Sequence, residues 1–395
     1  VTPVRLASAA LALLIGFARI PTDTFAPGPP SGRRVDPAPG LTLPFPSQPI
    51  QGFSSVVPDR AHAGWWFALP DNGYGTKANS DDFLLRIYRV RPRWETGKVD
   101  VDPRFVQLAD PDRRAGFEIV NDAAPGRSLT GADFDPESLV VDRDGSFWIG
   151  EEFGPFILHF SSDGRLIDTP AEAEGLRSPD HPAYVVSGFS RTAVGPTVRR
   201  SRGFEGLAAR RDGRHLLALL EAGPTAEPPD TTRILEFDRR ERRFTGRTWR
   251  YRFDGADHSA TEISPAIPAA GCGGACEAYL VIERDNANGP AARFKKIFRV
   301  GVGAPDTFVT KTLVVDLLDI ANPKQAGGFP AAFTFPFITP ESVWQTDART
   351  LMVVNDNNYP ETGGRAPGVR DDTEFIRVRI RYNQQIHAPH SDHQR

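Results

Sequence analysis

Glu137-Ser138-Leu139-Val140-Val141, the turn Asp142 to Gly145, Phe147-Trp148-Ile149-Gly150 and then Glu151-Glu152 form the stretch on which the fold turns. An acid beside a small residue opens an apolar strand, an Asp-Gly turn reverses it, a second strand follows, and a pair of acids closes the phrase. The phrase returns at Glu205-Gly206-Leu207, Asp212-Gly213, His215 to Leu220 and Glu221, and at Glu341-Ser342-Val343, Leu351 to Val354 and Asn355-Asp356-Asn357-Asn358. Looser copies are Gln51-Gly52-Phe53-Ser54 with Trp65 to Ala68 and Asp71-Asn72-Gly73, and Glu262-Ile263-Ser264 with Tyr279 to Ile282, Glu283, Asp285 and Asn286. After most copies comes a further alternating strand, at Phe83 to Val90, Phe156 to Phe160, Thr232 to Phe237, Lys296 to Val300 and Phe375 to Ile380. Short strands and turns repeating at roughly 55 to 85 residues are the mark of a β-propeller. The expectation is an all-β chain of five or six blades.

Equivalent positions in such repeats point at one axis. Acids at the ends of the inner strands therefore converge on a channel mouth, where they raise one another's pKa unless a cation neutralises them. Oxygen donors from Asp, Glu and Asn suit calcium. Any single acid is equally explained by capping a turn or pairing with an arginine, but turn capping does not require an acid at the same phase of each repeat.

Composition narrows the function. The 395 residues carry a net charge of −3 with basic residues scattered, so no electrostatic footprint for nucleic acid is present. The 36 glycines and 36 prolines supply the turns that many short strands need. Arg5 followed by the apolar run Leu6 to Phe17 and Ala18 reads as a signal peptide over residues 1–18. Residues 19–44 form a Pro/Gly-rich lead-in, 45–382 the propeller, and 383–395, with His387, His390 and His393, a disordered tail. The segment between Arg91 and Pro136 is either an extra blade or a long insertion. Cys272 and Cys276 straddle a glycine-rich turn and suit a small disulfide clip better than a zinc site.

There is no Gly-x-Ser-x-Gly elbow, P-loop, Gly-x-Gly-x-x-Gly after a strand or His-Glu-x-x-His. Ser54, Ser138, Ser264 and Ser342 lack a histidine placed to activate them and read as small residues at a crowded mouth. What remains is cation-assisted attack of water on an ester or phosphoester. Glu137, Glu151, Glu152, Glu283, Asp285 and Asp356 are the candidate ligands, Glu205 and Glu341 the candidate catalytic carboxylates, and Lys77, Arg284, Lys295 and Arg365, with Lys296 beside them, the candidate substrate-binding cations.

The chain resembles the phytase-like domain family, described as having esterase-like activity of phytase. The resemblance rests on Gln51-Gly52-Phe53-Ser54, Asp71-Asn72-Gly73-Tyr74-Gly75, Asp81 to Tyr88, Asp135-Pro136-Glu137-Ser138, Gly150 to Pro155, Phe204-Glu205-Gly206-Leu207, Ile282-Glu283-Arg284-Asp285, Pro340-Glu341-Ser342, Asn355 to Asn358 and Thr373-Glu374-Phe375. It implies a propeller hydrolase of secreted or periplasmic type, by analogy with calcium-dependent propeller phytases; phytate itself is not implied. The expected partner is a small-molecule ester or phosphoester, without nucleic acid or a membrane span, and the expected state is a monomer. Two rivals stand beside this reading: a non-catalytic binding module holding a structural calcium, and a lactonase-like propeller hydrolase with one cation deep on the axis.

Overall fold

In the computed structural model, residues 12–184, 195–268, 277–361 and 363–380 are described. Cys272, Cys276 and the three tail histidines lie outside them. Among the described residues the regular structure is strand, with three short 3-10 turns and no α-helix. Among the described residues no helix is long and apolar enough to cross a membrane.

Five antiparallel meanders carry the architecture. The first runs Phe53–Pro58, Trp66–Pro70, Arg86–Arg93 and Lys98–Val101; the second Pro136–Val141, Phe147–Glu151, Phe156–Phe160 and Ala171–Glu172. The third runs Phe204–Ala209, His215–Leu220, Thr231–Asp238 and Arg243–Arg252; the fourth Ser259–Pro265, Ala278–Arg284, Lys295–Gly301 and Thr310–Asp316. The fifth uses Pro340–Asp347, Thr350–Asn355 and Thr373–Ile380, and takes its outer strand from the other end of the chain, Ala12–Ile20. The first strands of successive meanders pack side by side, and that of the fifth returns to that of the first, closing a ring. This arrangement around an axis is propeller-like.

The closing strand corrects the reading of the amino terminus. Ala12, Leu14, Phe17, Ala18 and Ile20 are buried, and the strand pairs with the fifth meander from Ala12 opposite Ile380 to Ile20 opposite Thr373. The apolar composition that suggested a removable leader is, over Ala12 to Ala18, that of a core strand. The segment between Arg91 and Pro136 resolves in the same way. Lys98–Val101 completes the first meander, Val106–Gln107 adds to its Arg86–Ile87 edge, and Leu108, Ile119, Leu129 and Phe134 join the core between the first two meanders. It is an insertion, not a further meander.

The small residues of the repeat latch neighbouring inner strands together. Ser342 Oγ accepts from Val56 N at 2.9 Å and donates to Val56 O at 3.2 Å, Ser55 Oγ accepts from Leu139 N at 3.2 Å, and Ser264 Oγ donates to Val343 O at 2.6 Å. Buried bonds of this kind contribute about 1 kcal/mol each, and more is lost when one partner is removed. Gly206 serves the same approach by having no side chain, since a Cβ there would lie 2.5 Å from the backbone nitrogen of Ile263.

Candidate functional site

Every inner strand carries one extra residue near its start. Against its hairpin partner, the register skips Ser54 in the first meander, Glu137 in the second, Glu205 in the third, Thr261 in the fourth and Glu341 in the fifth. Such a bulge breaks the two-residue alternation and re-aims the side chain it carries. One residue past the partner position on the second strand come Asp71, Glu152, Glu221, Arg284 and Asp356. These two sets form two tiers at one end of the ring.

All of them but Ser54 and Thr261 line a cavity of about 220 Å³. Its walls carry eight carboxylates, those of Asp71, Asp135, Glu137, Glu152, Glu205, Glu221, Glu341 and Asp356, against the two guanidiniums of Arg202 and Arg284. Glu137, Glu205 and Glu341 bring one oxygen each within 4.8 Å of one another; so do Asp135, Glu137 and Glu152, and Glu152, Glu205 and Glu221. The carboxylates other than that of Asp71 are buried. Backbone and amide donors meet several: Asn72 Nδ2 lies 2.9 Å from Asp135, Gly203 N 2.7 Å from Glu152 and Asn358 N 2.7 Å from Asp356. Glu221 is paired with Arg284 at 2.6 Å and with Arg202. Glu341 Oε2 is buried without a hydrogen-bond partner, a costly state that a bound cation would relieve.

Burial first, and then the neighbouring acids, raise these carboxyls. Glu152 is pushed up to about 8, with Glu221 adding to burial, and Glu341 to about 8, where Asp356 adds to burial and Arg284 opposes it. Asp356 is pushed up to about 7 by burial. Glu137 and Glu205 are raised well above the usual range by burial, then by Glu205 and Glu341 respectively. A carboxyl whose pKa is higher in the folded chain supports the fold fully below its unfolded value and loses that support as pH rises through the folded value. In EDTA the thermal midpoint is therefore expected to fall by several degrees between about pH 5 and about pH 9, and calcium should flatten that slope. Scanning fluorimetry across that range checks it; a midpoint indifferent to pH in EDTA would show that the acids are not strained.

Of the candidate residues read from sequence, the cavity gathers Glu137, Glu152, Glu205, Glu341, Asp356 and Arg284. Six others are engaged elsewhere. Glu151 accepts from the backbone nitrogens of Phe153, Gly154 and Phe156, at 3.0, 2.7 and 2.9 Å, and so shapes a turn. Glu283 is met by Tyr251 Oη at 2.8 Å, Asp254 N at 2.7 Å, His258 Nδ1 at 2.8 Å and the Lys311 ammonium. Asp285 and the buried Lys295 pair with each other at 2.9 Å. Arg365 forks onto Glu374, and Lys77 lies over the Phe153 ring, 3.4 Å from Asp180 O. Asp71, Asp135, Glu221 and Arg202 are the charged cavity residues left off that list. Asp71 and Glu221 stand at the phase of Glu152 and could have been found from it; Arg202 carries no signal in sequence.

A recess of about 420 Å³ adjoins the cavity and shares Asp71, Gly75 and Asn358 with it. Val35, Leu41, Tyr74, Tyr359 and Pro360 form its apolar wall. Its only charged lining residues among those described are Asp36, Asp71 and Glu361.

The family described as phytase-like, esterase-like activity of phytase, matches residues 48–359. A protein of Arthroderma benhamiae, named an uncharacterized secreted protein, is 25% identical over an alignment of 246 positions that covers 53% of this chain and 44% of that protein. The chain thus spans less than half of that relative. Among solved structures, the calcium-binding protein regucalcin of Agrobacterium tumefaciens is similar at 11% identity and a TM-score of 0.39, over 85% of this chain and 93% of that one. The PQQ-bound aldose sugar dehydrogenase of Streptomyces coelicolor is similar at 14% identity and a TM-score of 0.32, over 95% and 100%.

Proposed function

We propose that this chain, which belongs to the phytase-like family, is an exported, calcium-dependent hydrolase of esters bearing an uncharged apolar group, built as a five-bladed β-propeller. The observation that carries the reading is the axial cavity with eight carboxylates and two guanidiniums, opening beside an apolar recess. The name of the Arthroderma relative supports export.

Glu137, Glu205 and Glu341 would hold the cation, with Glu152 able to serve a second position, because an all-oxygen donor set with a buried, partnerless Glu341 oxygen suits a hard ion. When bound, calcium supplies positive charge that polarises the ester and acidifies water. The chain's own groups do the rest. Arg284, whose Nε is buried without a partner, and Arg202, which lines the same cavity, would take the substrate's carbonyl or phosphoryl oxygen. Asp71, which lines both cavity and recess, would accept the proton of an attacking water. Charge selects among substrates: a polyanion entering the recess would meet Asp36, Asp71 and Glu361 with no lysine or arginine to offset them.

The test is p-nitrophenol release from the butyrate ester and from the phosphate monoester, each in EDTA and with calcium restored. The expected result is calcium-dependent turnover in which the butyrate is favoured at least tenfold in kcat/KM. Turnover of the phosphate alone would overturn the apolar-ester assignment. No turnover of either, with calcium still raising the melting temperature, would make the chain a binding module.

A further inference from the structure

The ring has a second mouth, at the end away from the acids, where the inner strands finish. A cavity of about 280 Å³ opens there, walled by Val57, Leu139, Leu207 and Trp344, with two acids also on its lining: Asp142, which Arg239 takes, and Glu262, whose carboxyl burial raises well above the usual range. Its volume is nearly twice the roughly 150 Å³ of a dry apolar cavity that accepts benzene. The rim is basic, and in a repeated way. Three consecutive inner strands end at Pro58, Val141 and Ala209, and two residues beyond each stands an arginine: Arg60, Arg143 and Arg211. All three are exposed, and none has an acid partner among the described residues. The other two rim arginines are occupied, Arg239 by Asp142 at 2.9 Å and Arg210 by Glu236 and Glu277. Exposed arginines without an acid partner occur elsewhere, as at Arg114, Arg240 and Arg349, but Arg60, Arg143 and Arg211 stand at one repeated position around a single opening. Three left unpaired around one apolar opening form a site in which body and head of a ligand are recognised by different physics.

We propose that this mouth binds a small amphipathic anion, an aromatic or alkyl body carrying a carboxylate or phosphate head. The body fills the apolar cavity, and the head lies at the rim, where Arg60, Arg143 and Arg211 supply planar donors. The eight carboxylates of the acidic cavity would repel the same ligand, so the two mouths differ in the sign of charge they accept. The site is independent of the hydrolase reading.

Titration calorimetry on EDTA-treated protein tests it with a matched series: 4-phenylbutanoate, 4-phenylbutanol and 4-phenylbutylamine. The carboxylate should bind at least tenfold more tightly than the alcohol, and the amine most weakly. The triple variant Arg60→Gln, Arg143→Gln, Arg211→Gln changes exposed side chains only; it should bring the carboxylate down to the affinity of the alcohol. Glu205→Gln at the opposite mouth should leave binding unchanged. Equal affinity for carboxylate and alcohol, preference for the amine, or a triple variant that binds as the parent does would each overturn the proposal. So would loss of binding in Glu205→Gln, which would place the ligand at the acidic mouth.

Discussion

Changing Glu205 and Glu341 together to glutamine is expected to stabilise the cation-free protein while abolishing both its response to calcium and its turnover. The opposite signs follow from the crowding of the site. Glu205 shares oxygen clusters with Glu137, Glu341, Glu152 and Glu221, and its carboxyl is raised by burial and then by Glu341. Glutamine keeps the volume and removes the charge, so repulsion among the remaining carboxylates falls and the midpoint in EDTA rises. The same change takes two donors from the cluster. Calcium at a hundredfold excess over its dissociation constant would stabilise the parent by about 2.7 kcal/mol, and that increment should vanish in the variant. Hydrolysis should drop at least a thousandfold, about 4 kcal/mol of lost transition-state stabilisation. Melting curves with and without calcium, set beside single-substrate kinetics, read all three effects. A double variant that keeps its calcium shift and its rate would remove the axial cavity from the mechanism.

A chain beginning at Arg19 should fail to fold, whereas one beginning at Ala12 should fold. The strand Ala12–Ile20 buries Leu14 and Phe17, and each such side chain contributes about 1.5 to 3 kcal/mol. Its loss would also bare the edge of Thr373–Ile380 along its whole length, an invitation to edge-to-edge association. Against a total stability on the order of 5 to 15 kcal/mol, those losses together are decisive. Soluble yield and the presence of a cooperative calorimetric transition distinguish the two chains. A well-folded product starting at Arg19 would return Ala12 to Ala18 to the role of a removable leader.

The repeat made the sheet architecture legible because its acids, small residues and turns recur in order. What alternation alone could not reveal was the bulge. Glu262-Ile263-Ser264 looks like Glu137-Ser138-Leu139, yet the register places Thr261 where Glu137 stands and moves Glu262 to the position of Ser138. Glu262 consequently lines the basic mouth rather than the acidic one. Adjacent acids were misread for a related reason. Successive strand residues face opposite sides, so of Glu151 and Glu152 only Glu152 lines the cavity, and Glu283 shares the phase of Glu151 while Arg284 takes that of Glu152. The closing strand reads as a leader in sequence because burial in a core and insertion in a membrane select the same apolar residues. The insertion joined the core through scattered contacts that no periodicity announces.

The skipped residue in each inner strand behaves as a socket. Its geometry is held by the backbone register on either side, and the ring already tolerates serine, glutamate and threonine there, at Ser54, Glu137, Glu205, Thr261 and Glu341. Chemistry at the mouth can thus be rewired one position at a time without recasting the scaffold. Descendants of one ancestral ring could gain or shed an ion, or fall catalytically silent, while their outlines stayed superimposable.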